Sequence, residues 1–194
     1  MRLPEIERGD SLRTRTLIQF ISLVSGARLP DAARVAFYHQ DFLGSALGDW
    51  SQQAMRGPGG WDVAERELIA AMVAGWNTSA FCIGAHQAVA VHGGIHPETV
   101  AACAVDYNTA PISPALRAAL TFAEVMTLRP DELTAADAQA ALSAGVSPER
   151  LVETAAITAI FNIVTRYADA LDFAIPTGEE FRKAAGMLLK RGYV

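Results

Sequence analysis

Cysteine is scarce in this chain of 194 residues: there are two, Cys82 and Cys103, far apart in sequence. That spacing excludes a disulfide framework. Lysine and arginine number 16 against 21 aspartates and glutamates, a formal net charge of −5, and they form no basic cluster. Nucleic-acid binding is therefore not expected, since phosphate contacts need clustered cations. Apolar stretches are interrupted by His, Asn, Thr or charged residues well short of the roughly 20 residues a membrane helix needs. No sustained period-two run is bounded by turns, which leaves little to read as strand. No Gly-rich strand–turn–helix exists to hold a flavin or nicotinamide cofactor, no haem signature is present, and no cofactor is expected. Met1 to Asp10 is charged and has no apolar core of a secretory leader. What is there is an alanine-rich chain, 51% hydrophobic and 19% charged. Such a profile belongs to a globular, cytoplasmic protein. The length suits one domain over residues 1–194, with two helical halves joined near 56–60 as the alternative arrangement.

Helix punctuation predicts an all-α fold. Residues 1–10 read as a frayed arm. Ser11 can cap a helix through LRTRTLIQFISLVSGA, with Leu12, Leu17, Phe20, Ile21 and Val24 at near-helical spacing and Gly26 as its stop. Pro30-Asp31 opens AARVAFYHQDFLG, and SALGDWSQQAM runs to the breaker Arg56-Gly-Pro-Gly-Gly60. The next helix spans about Asp62 to Gly75, and a polar break at Asn77-Thr78-Ser79 separates it from one carrying Cys82 and His86. Pro97 opens a short helix. Ser113-Pro114 and Ser147-Pro148 each pair a cap with proline at the first helical position. Thr134 caps another helix, and Thr177 with Glu180 has capping-box spacing for the last.

The chemistry concentrates in Glu67 to Gly94. Cys82 and His86 are four apart and so share a helix face, one turn from each other. Ser79 stands at the N-cap position, which puts Cys82 at about the third helical position. There the helix dipole and unpaired N–H groups favour a thiolate, and an imidazole adds a base, so the thiol is expected below its free value of about 8.5. A lone cysteine in a helix is otherwise a small buried hydrophobe.

This stretch resembles the AhpD-like / carboxymuconolactone decarboxylase superfamily, whose redox branch carries Glu, then about a dozen residues later Cys-x-x-Cys, then His four residues on. Glu67 takes the glutamate position, Cys82 the second cysteine and His86 the histidine, while Ser79 replaces the first cysteine. The runs RGPGGWDVAERELIAA, FCIGAH, TAPISPALRAAL and FNIVTRYADALDF extend the likeness to the peroxidase-related subgroup. The resemblance implies an AhpD-like helical bundle and a homo-oligomer, a trimer or hexamer. It also implies an alkylhydroperoxidase-like thiol oxidoreductase. Cys82 would then be the thiolate that reduces a small hydroperoxide. His86 and Glu67 would form the proton relay, Glu67 with a raised pKa in an apolar pocket. Ser79 would cap the helix and hydrogen-bond the thiolate. A serine cannot form the recycling disulfide, so a thiol reductant from outside, a small molecule or a partner protein, is expected.

Two rivals keep the fold: a non-redox enzyme like the decarboxylase branch, and a catalytically inactive oligomeric remnant. Cys103, in the apolar run AACAV, reads as core or else as a resolving thiol. His92 and His96 have no partner in the sequence, and no four-ligand spacing for a metal is completed. Asn162, Arg166 and Asp169 share a helix region and read as an ion-paired face, a buried network, or a pocket lining. Trp76, Phe81 and Phe161 read as core or pocket wall.

Overall fold

The computed structural model describes residues 1–26, 28–38 and 45–193. Among these the chain is all-α, with eleven helices and no strand. They are α1 (Pro4–Arg8), α2 (Leu12–Ser25), α3 (Asp31–Phe37), α4 (Ser45–Arg56), α5 (Val63–Trp76), α6 (Ala80–His92), α7 (Pro97–Asp106), α8 (Pro114–Leu128), α9 (Ala135–Ser143), α10 (Pro148–Ala170) and α11 (Gly178–Arg191). Most boundaries follow local caps. Ser11, Ser113, Ser147 and Thr177 each accept a backbone N–H of the first turn, and Asp62 with Glu65 forms a capping box that opens α5. Gly26 ends α2 in the left-handed region, φ 63°. Residues 39–44 of the expected third helix lie outside the described residues.

Helix α5 is the centre. Its residues Arg66 to Ala74 are all buried, and it packs against α6, α8 and α10, while α11 lies along α6. One core joins α5 to α8 and α10 through Leu68, Ile69, Val73, Leu120, Ile157 and Ile160. A second gathers Ile6, Phe81, Cys82, Phe173 and Phe181 between α1, α6 and α11. A Cβ on Gly84 would stand 2.5 Å from the Phe181 ring, so glycine there lets α11 approach α6 closely. Along α10 the buried hydroxyls of Thr154, Thr158 and Thr165 donate to carbonyls one turn back, which leaves only their methyl groups to pack.

Two expectations are corrected. The first ten residues are not a frayed arm: α1 forms because Ile6 inserts into the second core, and the Arg2 N–H donates to the Leu171 carbonyl. Helix α2 forms where expected but buries only Ile18, leaving Leu12, Phe20, Leu23 and Val24 in solvent. Periodicity marks an apolar face and not what covers it.

The breaker between α4 and α5 is tied to α10. Glu153 accepts the N–H groups of Gly60 and Trp61, and pairs at 2.5 Å with the buried Arg66, which also donates to the carbonyls of Gly57 and Trp61. Removing one partner of a buried pair strands the other, at a cost of about 3–5 kcal/mol. Arg66→Ala is therefore expected to lower the unfolding free energy by about that amount, read as a lower urea midpoint, and an unchanged midpoint would contradict the role given to this pair.

Candidate active site

Glu67 is fully buried on α5, where an unpaired carboxylate would be too costly to keep charged. It is not unpaired. Its Oε2 lies 2.6 Å from His86 Nδ1, one helix away on α6. Its Oε1 lies 2.7 Å from the guanidinium of Arg56, the last residue of α4, and accepts the Tyr193 hydroxyl at 3.0 Å. Burial pushes the carboxyl up, but the hydrogen bond and charge of His86, with Arg56 behind them, outweigh it and hold Glu67 below the ordinary carboxylate range. The expectation of a raised pKa is thereby overturned: Glu67 stays ionised and orients its partners. Because a carboxylate only accepts, His86 carries its proton on Nδ1, which leaves Nε2 to receive one. The imidazole also stands edge-on to Phe161, with ring centroids 4.4 Å apart, which fixes its plane.

Cys82 occupies the third position of α6, as the spacing predicts, one turn before His86 on the same face. The sulfur is 1% exposed, among Phe81, Phe173 and Phe181. Its thiol is pushed up to about 11, chiefly by burial; the hydrogen bond of Ser79 opposes this, and the Asp169 carboxylate adds a lesser push upward. The expected low pKa is therefore not what the structure has: desolvation outweighs the helix N-terminus. Tyr193 feels the charge of Cys82, which puts the sulfur within electrostatic reach of the Glu67 end of the site.

Ser79 does stand at the N-cap, but its hydroxyl makes no capping bond. It donates instead to Asp169 Oδ1 at 2.7 Å. A hydroxyl has one proton, and this one is spent on a carboxylate. Asp169 therefore competes with Cys82 for the one Ser79 proton, and the lowering effect of Ser79 on the thiol does not overcome burial. The expected stabilisation of the charged sulfur by Ser79 is present in direction but is outweighed by desolvation. Asp169 makes no ion pair with Arg166, contrary to the simplest reading of that helix face. Arg166 donates to Asn162, and Asn162 bridges Asn77 and Thr127.

The other candidates separate cleanly. Cys103 is buried in the first core, not the one that holds Cys82. His96 caps α7 by accepting the Glu98 N–H, and His92 is exposed. Trp76 packs edge-on against Tyr107, and Phe81 against Phe173. No group of acidic, His and Cys side chains suited to a metal occurs among the described residues. Arg56 and Tyr193 were missed from sequence, and for Tyr193 no local signal exists, since its contact spans 126 residues.

Two measurements check this electrostatic picture. Asp169→Asn removes a negative charge beside the sulfur, so the pH midpoint of Cys82 alkylation should fall below about 11, and a rise or no change would refute it. The folded thiol titrates above its ordinary value, so its contribution to stability is complete below about pH 8.5 and is lost as pH climbs toward 11. Between those limits the urea midpoint of the wild type should fall more steeply than that of Cys82→Ala.

Comparisons with known proteins agree with this architecture. Residues 43–125 match the model of the carboxymuconolactone decarboxylase family. An uncharacterized peroxidase-related protein with an alkylhydroperoxidase AhpD core, from Ralstonia eutropha JMP134, superposes with a TM-score of 0.75 at 27% identity, over 93% of this chain and 94% of that one. A peroxidase-related protein from Silicibacter sp. TM1040 gives 0.78 at 22% identity, over 93% of both chains. The debrominase Bmp8, solved in its apo form, gives 0.70 at 21% identity, over 92% of this chain and 94% of its own. No curated protein sequence matches the chain. Among the described residues no helix is long and apolar enough to cross a membrane. The matched segment and the shared helical architecture agree with the likeness to the AhpD-like / carboxymuconolactone decarboxylase superfamily.

Proposed function

We propose that this chain is a thiol oxidoreductase of the alkylhydroperoxidase type, in which Cys82 reduces a small hydroperoxide and an external thiol regenerates it. The observation that carries the reading is the buried Glu67–His86 pair, with its acceptor nitrogen on the helix face that also presents Cys82 one turn away. Nucleophile, base and orienting carboxylate in this order are what activates a sulfur that is neutral at rest. The peroxidase-related names of two structural neighbours support the reaction class.

His86 Nε2 takes the Cys82 proton as the sulfur attacks the peroxide, and Glu67 stabilises the imidazolium that forms. The S–O bond forms while the O–O bond breaks, and the proton passes from His86 to the departing alkoxide. An alcohol leaves, and Cys82 remains as sulfenic acid. With Ser79 in place of a resolving thiol, a first external thiol attacks the sulfenic sulfur, water is released, and a mixed disulfide forms. A second thiol reopens it. One hydroperoxide and two thiols thus become one alcohol, one disulfide and one water. A reducing cytoplasm supplies such thiols, and the apolar residues that α2 leaves in solvent support assembly as a homo-oligomer.

The debrominase neighbour shows that this fold hosts other activities. The neutral thiol favours one rival in particular, a non-redox enzyme run by Glu67 and His86 alone. Trapping of sulfenic acid at pH 7, read by mass spectrometry, separates the two. Cys82 should oxidise faster with hydroperoxide than a free thiol does, and His86→Ala should slow it by about 100-fold or more. Oxidation no faster than that of a free thiol sinks the proposal, and turnover of a carboxylated lactone retained in Cys82→Ser would install the rival. Ser79→Cys restores a resolving thiol, so hydroperoxide should then close a disulfide between positions 79 and 82 and consume two titratable thiols without any added reductant.

A further inference from the structure

The C-terminal residues after α11 fold back over the site. Gly192 leaves the helix at φ 76°, a conformation glycine adopts without strain, and the Tyr193 N–H is held by the Gln52 side chain at 2.7 Å. The Tyr193 ring then lies under the Arg56 guanidinium, 5.1 Å from the ring centroid, while its hydroxyl reaches Glu67. Both residues it touches belong to the carboxylate network, so the phenol sits where a molecule bound beside Glu67 would sit.

The fit is incomplete. Arg56, whose side chain is 9% exposed, keeps a buried Nε with no hydrogen-bond acceptor. An unmet donor is costly, and a permanent wall has no reason to leave one. Apart from the packing of its partly buried ring on the first core, Tyr193 is held by the hydroxyl, the ring face and one backbone hydrogen bond, none of them within a helix. It can therefore be lifted without unpacking a helix.

We propose that Tyr193 is a displaceable occupant of a ligand subsite formed by Arg56 and Glu67, and that the ligand replacing it is a phenol. The aromatic ring takes the guanidinium face, the hydroxyl donates to Glu67 Oε1, and the tail swings away about Gly192. Binding uncovers the approach to His86 and Cys82, so occupancy and opening are one event. The subsite does not depend on peroxide chemistry, and its test contains no peroxide.

The probe is 4-methylphenol, the tyrosine side chain as a free molecule, titrated calorimetrically into the full-length wild type and Tyr193→Phe. Amide hydrogen exchange of residues 188–193 is followed alongside. Tyr193→Phe keeps the ring and loses the hydroxyl contact with a charged acceptor, so its tail competes less and the probe should bind about tenfold tighter than to the wild type. Toluene, which lacks the hydroxyl, should bind at least about tenfold more weakly than 4-methylphenol. Saturation of the wild type should raise exchange at Tyr193. Equal affinity for the two probes overturns the proposal, as does binding that leaves the tail protected, or no binding by either protein at millimolar concentrations. Should sulfenic acid formation fail while these results hold, the peroxide reading falls and the phenol subsite stands.

Discussion

A single buried carboxylate sets the terms for the rest of the molecule. Glu67 is fully buried on α5, most of whose residues are themselves buried. Its charge survives because three donors converge on it from separate parts of the chain: α4 through Arg56, α6 through His86, and the residues after α11 through Tyr193. Each helix must therefore be in register with the others before the carboxylate is satisfied, and a buried ion of this kind imposes specificity more than it adds stability. The placement of α11 follows from the same requirement. Gly84 gives it room on α6, and that close approach brings Tyr193 to the network.

The sulfur is governed by a different balance. At the third position of α6 it has the helix N-terminus in its favour, but that effect is worth only a fraction to about 2 kcal/mol. Burial among phenyl rings opposes it, and the Asp169 charge is added through the serine that stands where the redox branch has a cysteine. The replacement of that cysteine thus alters more than recycling. It brings a hydroxyl shared between the sulfur and the Asp169 carboxylate, whose charge then bears on the thiol.

Much of the fold was legible because its determinants are local. A serine before a proline, or a threonine three residues before a glutamate, marks a helix start through bonds made within one turn, and Ser113, Ser147 and Thr177 do so here. The Glu67, Cys82 and His86 trio was legible through the family spacing, since the i, i+4 relation fixes a common face for the last two. What stayed hidden depends on distance along the chain. Asp169 meets Ser79 across 90 residues and Tyr193 meets Glu67 across 126, and no periodicity reports such pairs. The direction of both pKa shifts was hidden for the same reason. Glu67 has donors that its own helix does not reveal, and Cys82 has aromatic neighbours drawn from α11 and the segment before it.

The enclosure of Cys82 also bears on how long such a centre lasts. A thiolate at the surface is consumed by any diffusing oxidant and can be driven on to sulfinic and sulfonic acids, from which it does not return. A sulfur kept protonated behind aromatic side chains is shielded from such chance encounters.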